Sequence, residues 1–306
     1  MHQEITIPEL TDAIARLSAL LGPRAGAVRP LDGGITNRNF CVTLGDSDYV
    51  VRLPGKDTNL LGINREAERL ANKHAAALGL APNVAAALED PTCLVTRFVA
   101  GREMTAEELR EPDAITEVGR GLRDFHDSGV ELPTEFQVLE IARDYAEVAR
   151  SRGGEPPQPF EDALVRAREI VHAVGDDPEH APVPCHNDLL PANFLRGDEG
   201  IVIVDWEYAG MGDRFFDLAN FSINHEFGQA GNEALLEAYF GALRDEDLRA
   251  LLLMRFMSDF REAMWGVVQQ GISELDFDFV AYASEHFGRL RRTAADPEFR
   301  EALQSC

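Results

Sequence analysis

The segment PCHNDLLPANFL, at 184–195, carries His186, Asp188 and Asn193 in the spacing HxDxxxxN, and twelve residues after Asn193 the apolar run IVIV ends in Asp205. Phosphoryl transfer is the chemistry that needs such a set. One carboxylate orients an attacking hydroxyl and takes its proton, while an amide oxygen and a second carboxylate hold magnesium against nucleotide phosphates. A loop followed by a tight hairpin would bring the three side chains to one point. The motif alone is moderately specific; joined to an apolar strand that ends in Asp at this distance, it is strong.

With those residues in hand, the sequence resembles the choline/ethanolamine kinase branch of the aminoglycoside-phosphotransferase and protein-kinase-like superfamily, from about Leu31 to Phe287. The resemblance implies an α+β, bilobal protein-kinase-like fold with ATP in the cleft. It implies Asp188 as catalytic base, Asn193 as a magnesium ligand and Asp205 as the principal magnesium ligand, within the tripeptide Asp205-Trp206-Glu207. Glu207 is expected either beside the metal or on the acceptor. His186 is expected to brace the catalytic loop, and Asp217, in GDRFFDLAN, to tie down the same loop through backbone N–H groups.

The nucleotide side must work without a Walker motif. Of 29 basic residues only Lys56 and Lys73 are lysines, and neither lies in GxxxxGK[ST]. The stretch LDGGITNRNF offers Gly33, Gly34, Thr36 and Asn37 as a loop whose backbone can approach phosphate oxygens. The strand YVVRLPG follows, and at the usual kinase lysine position it has Arg52, whose fork of donors suits phosphate. Glu66 and Glu68 in NREAER are both candidates to hold that cation, and counting back from LGLAP favours Glu68. The hinge resembles LVTRFVAG, with the backbones of Arg97 and Val99 offered to adenine.

The segment 264–287 resembles the family's substrate segment, which supplies aromatic walls for a cationic acceptor, and Trp265 and Tyr282 fall on two of those positions. A Trp and a Tyr at helical spacing are otherwise ordinary core. The chain departs from the pattern at Glu262, where a tryptophan is expected, and at Asn224 to Phe227, where an aromatic-rich stretch is expected. Positions three apart share a helix face, so Glu262 and Trp265 are expected to look the same way. The acceptor expected is a small cationic amino alcohol, choline first, with ethanolamine or an amino sugar as the reading a carboxylate would favour. An aminoglycoside or aminocyclitol kinase is the alternative enzyme, and a silent binding protein that kept the kinase fold is the alternative outside enzymes.

The elements that must position these residues divide near VAGRE at 99–103. Before it, in a lobe expected over 1–98, apolar alternation predicts strands in AVRPLDGG, NFCVTL, YVVRL, VAAAL and CLVTRFV, with one helix over INREAERLANKHAAALG stopped by Gly79 and Pro82. After it, in a lobe expected over 99–306, helical periodicity dominates near 113–128, 136–151, 160–174, 213–225, 246–270 and 276–294, interrupted by a β-like patch around Gly197 to Gly200.

Charge and composition narrow the partners. Asp and Glu number 53 against 29 Lys and Arg, a formal charge of −24, and a field of that sign repels nucleic acid and anionic membrane alike. No run approaches the roughly 18–20 apolar residues of a membrane helix, and the start MHQEITIPELTDA has neither region of a signal peptide, so a cytoplasmic protein is expected. Cys41, Cys93, Cys185 and Cys306 are scattered and fit reduced structural thiols. His2, His74, His126, His172, His180 and His286 have no acidic or cysteine partner at ligand spacing and are expected at the surface or satisfied within helices. The sequence leaves the oligomeric state open, a homodimer being one expectation.

Overall fold

In the computed structural model the described residues are 7–31, 37–90, 92–175 and 177–304. Gly33, Gly34 and Thr36 of the glycine loop lie outside them. Five antiparallel strands, β1 (Arg24–Leu31), β2 (Asn37–Leu44), β3 (Ser47–Pro54), β4 (Val84–Glu89) and β5 (Thr92–Arg97), form one sheet in the order β1-β2-β3-β5-β4. The β2–β3 register, with Leu44 opposite Ser47, leaves only Gly45 and Asp46 for the turn, and Gly45 supplies the positive φ, 57°, that so short a connection demands.

Two helices accompany this sheet. The first, α1 (Pro8–Leu21), was not expected. It buries Leu10, Ala13, Ile14 and Leu17, one face at helical spacing, in a cluster with Phe40, Val42, Leu44, Val51 and Val95 of the sheet. The second, α2 (Arg65–Ala77), is started by Asn64, whose side chain accepts the N–H groups of Glu66 and Ala67. Its small face of Ala67, Ala71 and Ala75 belongs to the other, larger core, so α2 ties the sheet to the helical part of the molecule.

That larger core is built by α3 (Ala106–Leu109), α4 (Pro112–His126), α5 (Val138–Ser151), α6 (Pro159–Val174), α7 (Arg214–Asn224), α8 (Gln229–Phe240), α9 (Asp245–Ile272), α10 (Phe279–Ala295) and α11 (Pro297–Gln304). α3, α8 and α11 are additions to the helices expected from periodicity. α9, 28 residues and so ~42 Å long, is the central strut. Its stretch from Phe256 to Gln269 is buried all round, as it must be where α5, α7 and α10 enclose it. Short strands complete the lobe: β6 (Gly101–Glu103) pairs with β8 (Phe194–Gly197), which pairs with β9 (Gly200–Ile203), and β7 (Val183–Cys185) pairs with β10 (Gly210–Gly212). Among the described residues no helix is long and apolar enough to cross a membrane.

Candidate active site

The loop between β7 and β8 is held rigid by side chains that reach its backbone. Asp217, fully buried on α7, accepts the N–H of His186 at 2.7 Å through Oδ2 and that of Asn187 at 2.7 Å through Oδ1. His126 closes on the same carboxylate from α4 at 3.1 Å, with Tyr239 at its other ring nitrogen. Cys185 lies close to His126 and Asp217, but the histidine nitrogens and the carboxylate are already partnered, so the trio is a brace. His186 accepts the Asp188 N–H at Nδ1 and donates Nε2–H to the carbonyl of Val204, which stitches the loop to the end of β9. Burial lowers its pKa and keeps the ring neutral for that double role. Asn220, which lies outside the HxDxxxxN motif, accepts the Leu189 N–H. Asn187 and Asp205 both sit at positive φ, 68° and 64°, a conformation a non-glycine residue adopts only when its surroundings impose it.

These ties place three of the motif residues together. Asn193 Nδ2 donates to the Asp188 carbonyl at 2.7 Å and to Asp188 Oδ2 at 3.3 Å, which turns its Oδ1, the amide's metal-binding atom, away from those contacts. Val204 N–H donates to the Asn193 carbonyl, so the hairpin delivers Asp205 beside Asn193. Both line a cleft of about 550 Å³ with Arg52, Asn72, Arg97, Val99 and Glu103. Two hard oxygen donors at the phosphate end of a nucleotide-sized cleft fit magnesium.

Arg52 reaches into that cleft from β3. Its Nη1 lies 2.6 Å from Asp205 Oδ1 and 3.0 Å from Glu68 Oε1. Of the two glutamates, Glu68 is the partner; Glu66 pairs with Arg69 on the outer face of α2. Burial works against the charge of Arg52, but Asp205, Glu68 and Glu207 outweigh it and raise its pKa. Along the hinge, Arg97 gives its N–H to the Asn83 carbonyl and Phe98 gives its own to Asp48, while that of Val99 takes no backbone acceptor among the described residues. The guanidinium of Arg97 turns onto the Tyr49 ring, 5.0 Å from its centre.

Asn37 and Glu207 join the two lobes. Asn37 Nδ2 donates to Glu207 Oε2 at 2.8 Å, and Arg65 bridges Glu207 at 3.4 Å and Glu68 at 2.8 Å. Glu207 is thus a buried carboxylate at the base of the glycine loop.

The structure brings together Glu262, Trp265 and Tyr282, the residues expected on the acceptor, and adds one the sequence did not single out, Arg261. Tyr282 Oη donates to Glu262 Oε2 at 2.7 Å, and its ring meets that of Trp265 edge-on at 5.4 Å. Trp265 Nε1 donates to the Tyr208 hydroxyl at 2.9 Å. Arg261 Nη1 lies 3.0 Å from Asp188 Oδ1 and 2.5 Å from Glu262 Oε1. Both oxygens of Glu262 are therefore taken by the chain itself. The two carboxylates on Arg261 respond oppositely. Burial pushes Asp188 up, and Glu262, Asp205 and Glu207 add to that against the pull of Arg261. Burial also disfavours charge on Glu262, but Arg261, then His286 and the Tyr282 hydroxyl, hold it below the ordinary carboxylate range. The one signal that could have found Arg261 is a charge at 261 inside a run of buried apolar positions, which a buried helix tolerates only with a partner.

Comparison with known proteins fits this geometry. Residues 27–253 match the phosphotransferase enzyme family. A choline/ethanolamine kinase family protein from Mesorhizobium loti is 32% identical and superposes with a TM-score of 0.81 over 97% of this chain and 98% of that one. The chain belongs to the phosphotransferase enzyme family, in its choline/ethanolamine kinase branch. Protein LicA of Haemophilus influenzae is 29% identical over 214 residues, 68% of this chain but 61% of LicA. A spectinomycin phosphotransferase solved with ADP and spectinomycin, 14% identical with a TM-score of 0.61, shares the fold.

Proposed function

We propose that this phosphotransferase moves the γ-phosphoryl group of ATP to the hydroxyl of a small cationic amino alcohol, choline or ethanolamine. The observation that carries the reading is the convergence of Asn193, Asp205 and Arg52 on one cleft, with Asp188 hydrogen-bonded to Asn193 and joined through Arg261 and Glu262 to the aromatic pair of Tyr282 and Trp265. Its membership of the choline/ethanolamine kinase branch supports the acceptor class.

In this reading the backbones of Arg97 and Val99 hold adenine, and Arg52, kept in register by Glu68, grips the phosphates together with the glycine loop of Gly33, Gly34, Thr36 and Asn37. Asn193 Oδ1 and the Asp205 carboxylate would hold magnesium, which when bound neutralises the charge shared by the phosphates. Asp188 orients the acceptor hydroxyl in line with the γ-phosphorus and takes its proton as the new P–O bond forms and the bond to the β-phosphate oxygen breaks, leaving ADP. The acceptor's cationic end lies against the Trp265 and Tyr282 faces, with Glu207 nearby for charge. Glu262 acts from behind, through Arg261 and Tyr282.

ADP release measured with magnesium and ATP across choline, ethanolamine and several aminoglycosides tests this. Turnover on an amino alcohol at the highest kcat/KM is expected. Activity confined to aminoglycosides, or thermal stabilisation by choline with no response to magnesium and ATP, would replace the reading by its rivals.

A further inference from the structure

Arg261 has an environment that packing does not explain. It stands in the middle of α9, 1% exposed, between Phe260 and, one turn on, Met264 and Trp265. An apolar side chain would fill that volume without desolvating a charge. Of the guanidinium's five N–H donors only those on Nη1 are used, and Nε and Nη2 are buried with no hydrogen-bond partner. A cation buried so incompletely satisfied is costly, and something must offset the cost.

The contacts of Nη1 identify what that is. Asp188 is held by one donor on each oxygen: Asn193 Nδ2 on Oδ2 at 3.3 Å, from its own loop, and Arg261 Nη1 on Oδ1 at 3.0 Å, from a helix 73 residues further along the chain. Two donors on two oxygens fix the plane of a carboxylate, where one would leave it free to swing about the Cβ–Cγ bond. Arg261 is itself fixed within a closed ring of contacts. Nη1 meets Glu262 Oε1, Glu262 Oε2 takes the Tyr282 hydroxyl, the Tyr282 ring abuts Trp265, Trp265 Nε1 donates to the Tyr208 hydroxyl, and the Tyr208 ring lies 4.2 Å beneath the guanidinium. Such a ring has no loose member, so displacement at the aromatic wall is transmitted to Asp188.

We propose that Arg261 is a positioning residue for phosphoryl transfer, setting the plane of the Asp188 carboxylate and coupling it, through Glu262 and Tyr282, to the wall that receives the acceptor. The inference rests on the reading of Asp188 as the base. Arg261 touches neither nucleotide nor acceptor in this scheme; it acts through Asp188.

The test is steady-state kinetics on the full chain with Arg261→Met, Arg261→Lys, Glu262→Gln and the charge-balanced pair Arg261→Met with Glu262→Met. A carboxylate displaced by about 1 Å can lower turnover ~100-fold, so Arg261→Met is expected to lower kcat about that much, with the KM for ATP unchanged and the KM for acceptor altered less than about threefold. Arg261→Lys keeps the charge and is expected to recover roughly tenfold of the loss, and Glu262→Gln to lose roughly tenfold, because the anchor weakens while Nη1 remains. The balanced pair removes one charge of each sign and keeps the test open if Arg261→Met alone does not fold; it is expected to show the same fall in kcat. A kcat within threefold of the parent in Arg261→Met or the balanced pair overturns the proposal. So does a rise in the KM for ATP equal to the fall in kcat with no recovery in Arg261→Lys, the mark of general structural damage. If the parent turns over no acceptor, the proposed function fails separately, and the same ratios are read on hydrolysis of ATP with magnesium, where Asp188 orients water: a tenfold fall supports the role of Arg261 and unchanged hydrolysis overturns it.

Discussion

Arg52 and Arg261, like Arg65 between them in sequence, each bridge two carboxylates through a single Nη1, and the difference between the first two separates the nucleotide cleft from the cluster behind Asp188. Arg52 joins Glu68 to Asp205 at the mouth of the nucleotide cleft, with 14% of its side chain exposed. Arg261 joins Asp188 to Glu262 behind the acceptor wall, with 1% exposed and two nitrogens sealed away unpartnered. The first lines an open cleft, so it can exchange a carboxylate for a phosphate as the proposed function requires. The second can exchange nothing, so its charge serves internal geometry. The same pattern of contacts thus suits the ligand-gripping role proposed for Arg52 and the positioning role proposed for Arg261, and burial distinguishes the two.

The comparison breaks first at the residues both arginines serve. Asp188→Asn and Asp205→Ala are expected to lower kcat by roughly 10³-fold or more, since each removes a group acting at the transferring phosphoryl, while far-UV circular dichroism stays that of the parent. Near-native turnover in Asp205→Ala would remove it from the metal site. Arg52→Lys comes next: a point charge in place of a fork is expected to raise the KM for ATP about tenfold, with acceptor KM unchanged, the opposite split to that expected at Arg261.

A smaller effect separates catalysis from stability. His225 is buried, its pKa lowered to about 4 by loss of solvation, opposed in part by its bond to the Phe221 carbonyl. An unfolded imidazole takes its proton near pH 6.5, so between about pH 6.5 and 4 the unfolded chain binds more protons and stability falls as the pH falls, with no contribution above that window. At pH 4.5 this amounts to roughly 2–3 kcal/mol. Urea titrations of the parent and of His225→Gln at pH 7 and 4.5 check it: the pH difference is expected to shrink by about that amount in the variant, and an unchanged difference would assign the acid sensitivity elsewhere. Smallest of all is Lys56→Ala. Its pair with Glu274 spans the two lobes at 2.8 Å, but the side chains are 77% and 75% exposed. No measurable change in kcat or thermal midpoint is expected from an ion pair so hydrated.

Much of this was legible beforehand because the catalytic loop is a local object. His186, Asp188 and Asn193 lie within eight residues, Asp205 follows in the adjoining hairpin, and the alternation in β2, β3 and β5 marks the strands that carry Arg52 and the hinge. α1 was not expected although Leu10, Ala13, Ile14 and Leu17 have helical spacing after Pro8, because so narrow an apolar face gains its meaning only from the sheet it covers. The histidines show where local reading stops. His126, His180 and His286 each have an acidic neighbour in sequence, Asp127, Glu179 and Glu285, yet the carboxylate each ring meets, Asp217, Asp213 and Asp259 in turn, comes from another element.

The sequence by itself determined the reaction class and named the residues proposed to act on the phosphates, since phosphoryl transfer requires particular side chains at short, fixed spacings along one loop and its hairpin. The tertiary structure alone decided how those residues are held. Glu68, which the count back from LGLAP favoured, faces Arg52 through the rotation of α2 on the sheet, whereas nothing local says that Glu207 meets Asn37 and Arg65 or that Arg261 reaches Asp188 from α9. Such contacts join residues 16 to 170 positions apart, and only the packing of the two cores sets the distances across which a single guanidinium can act.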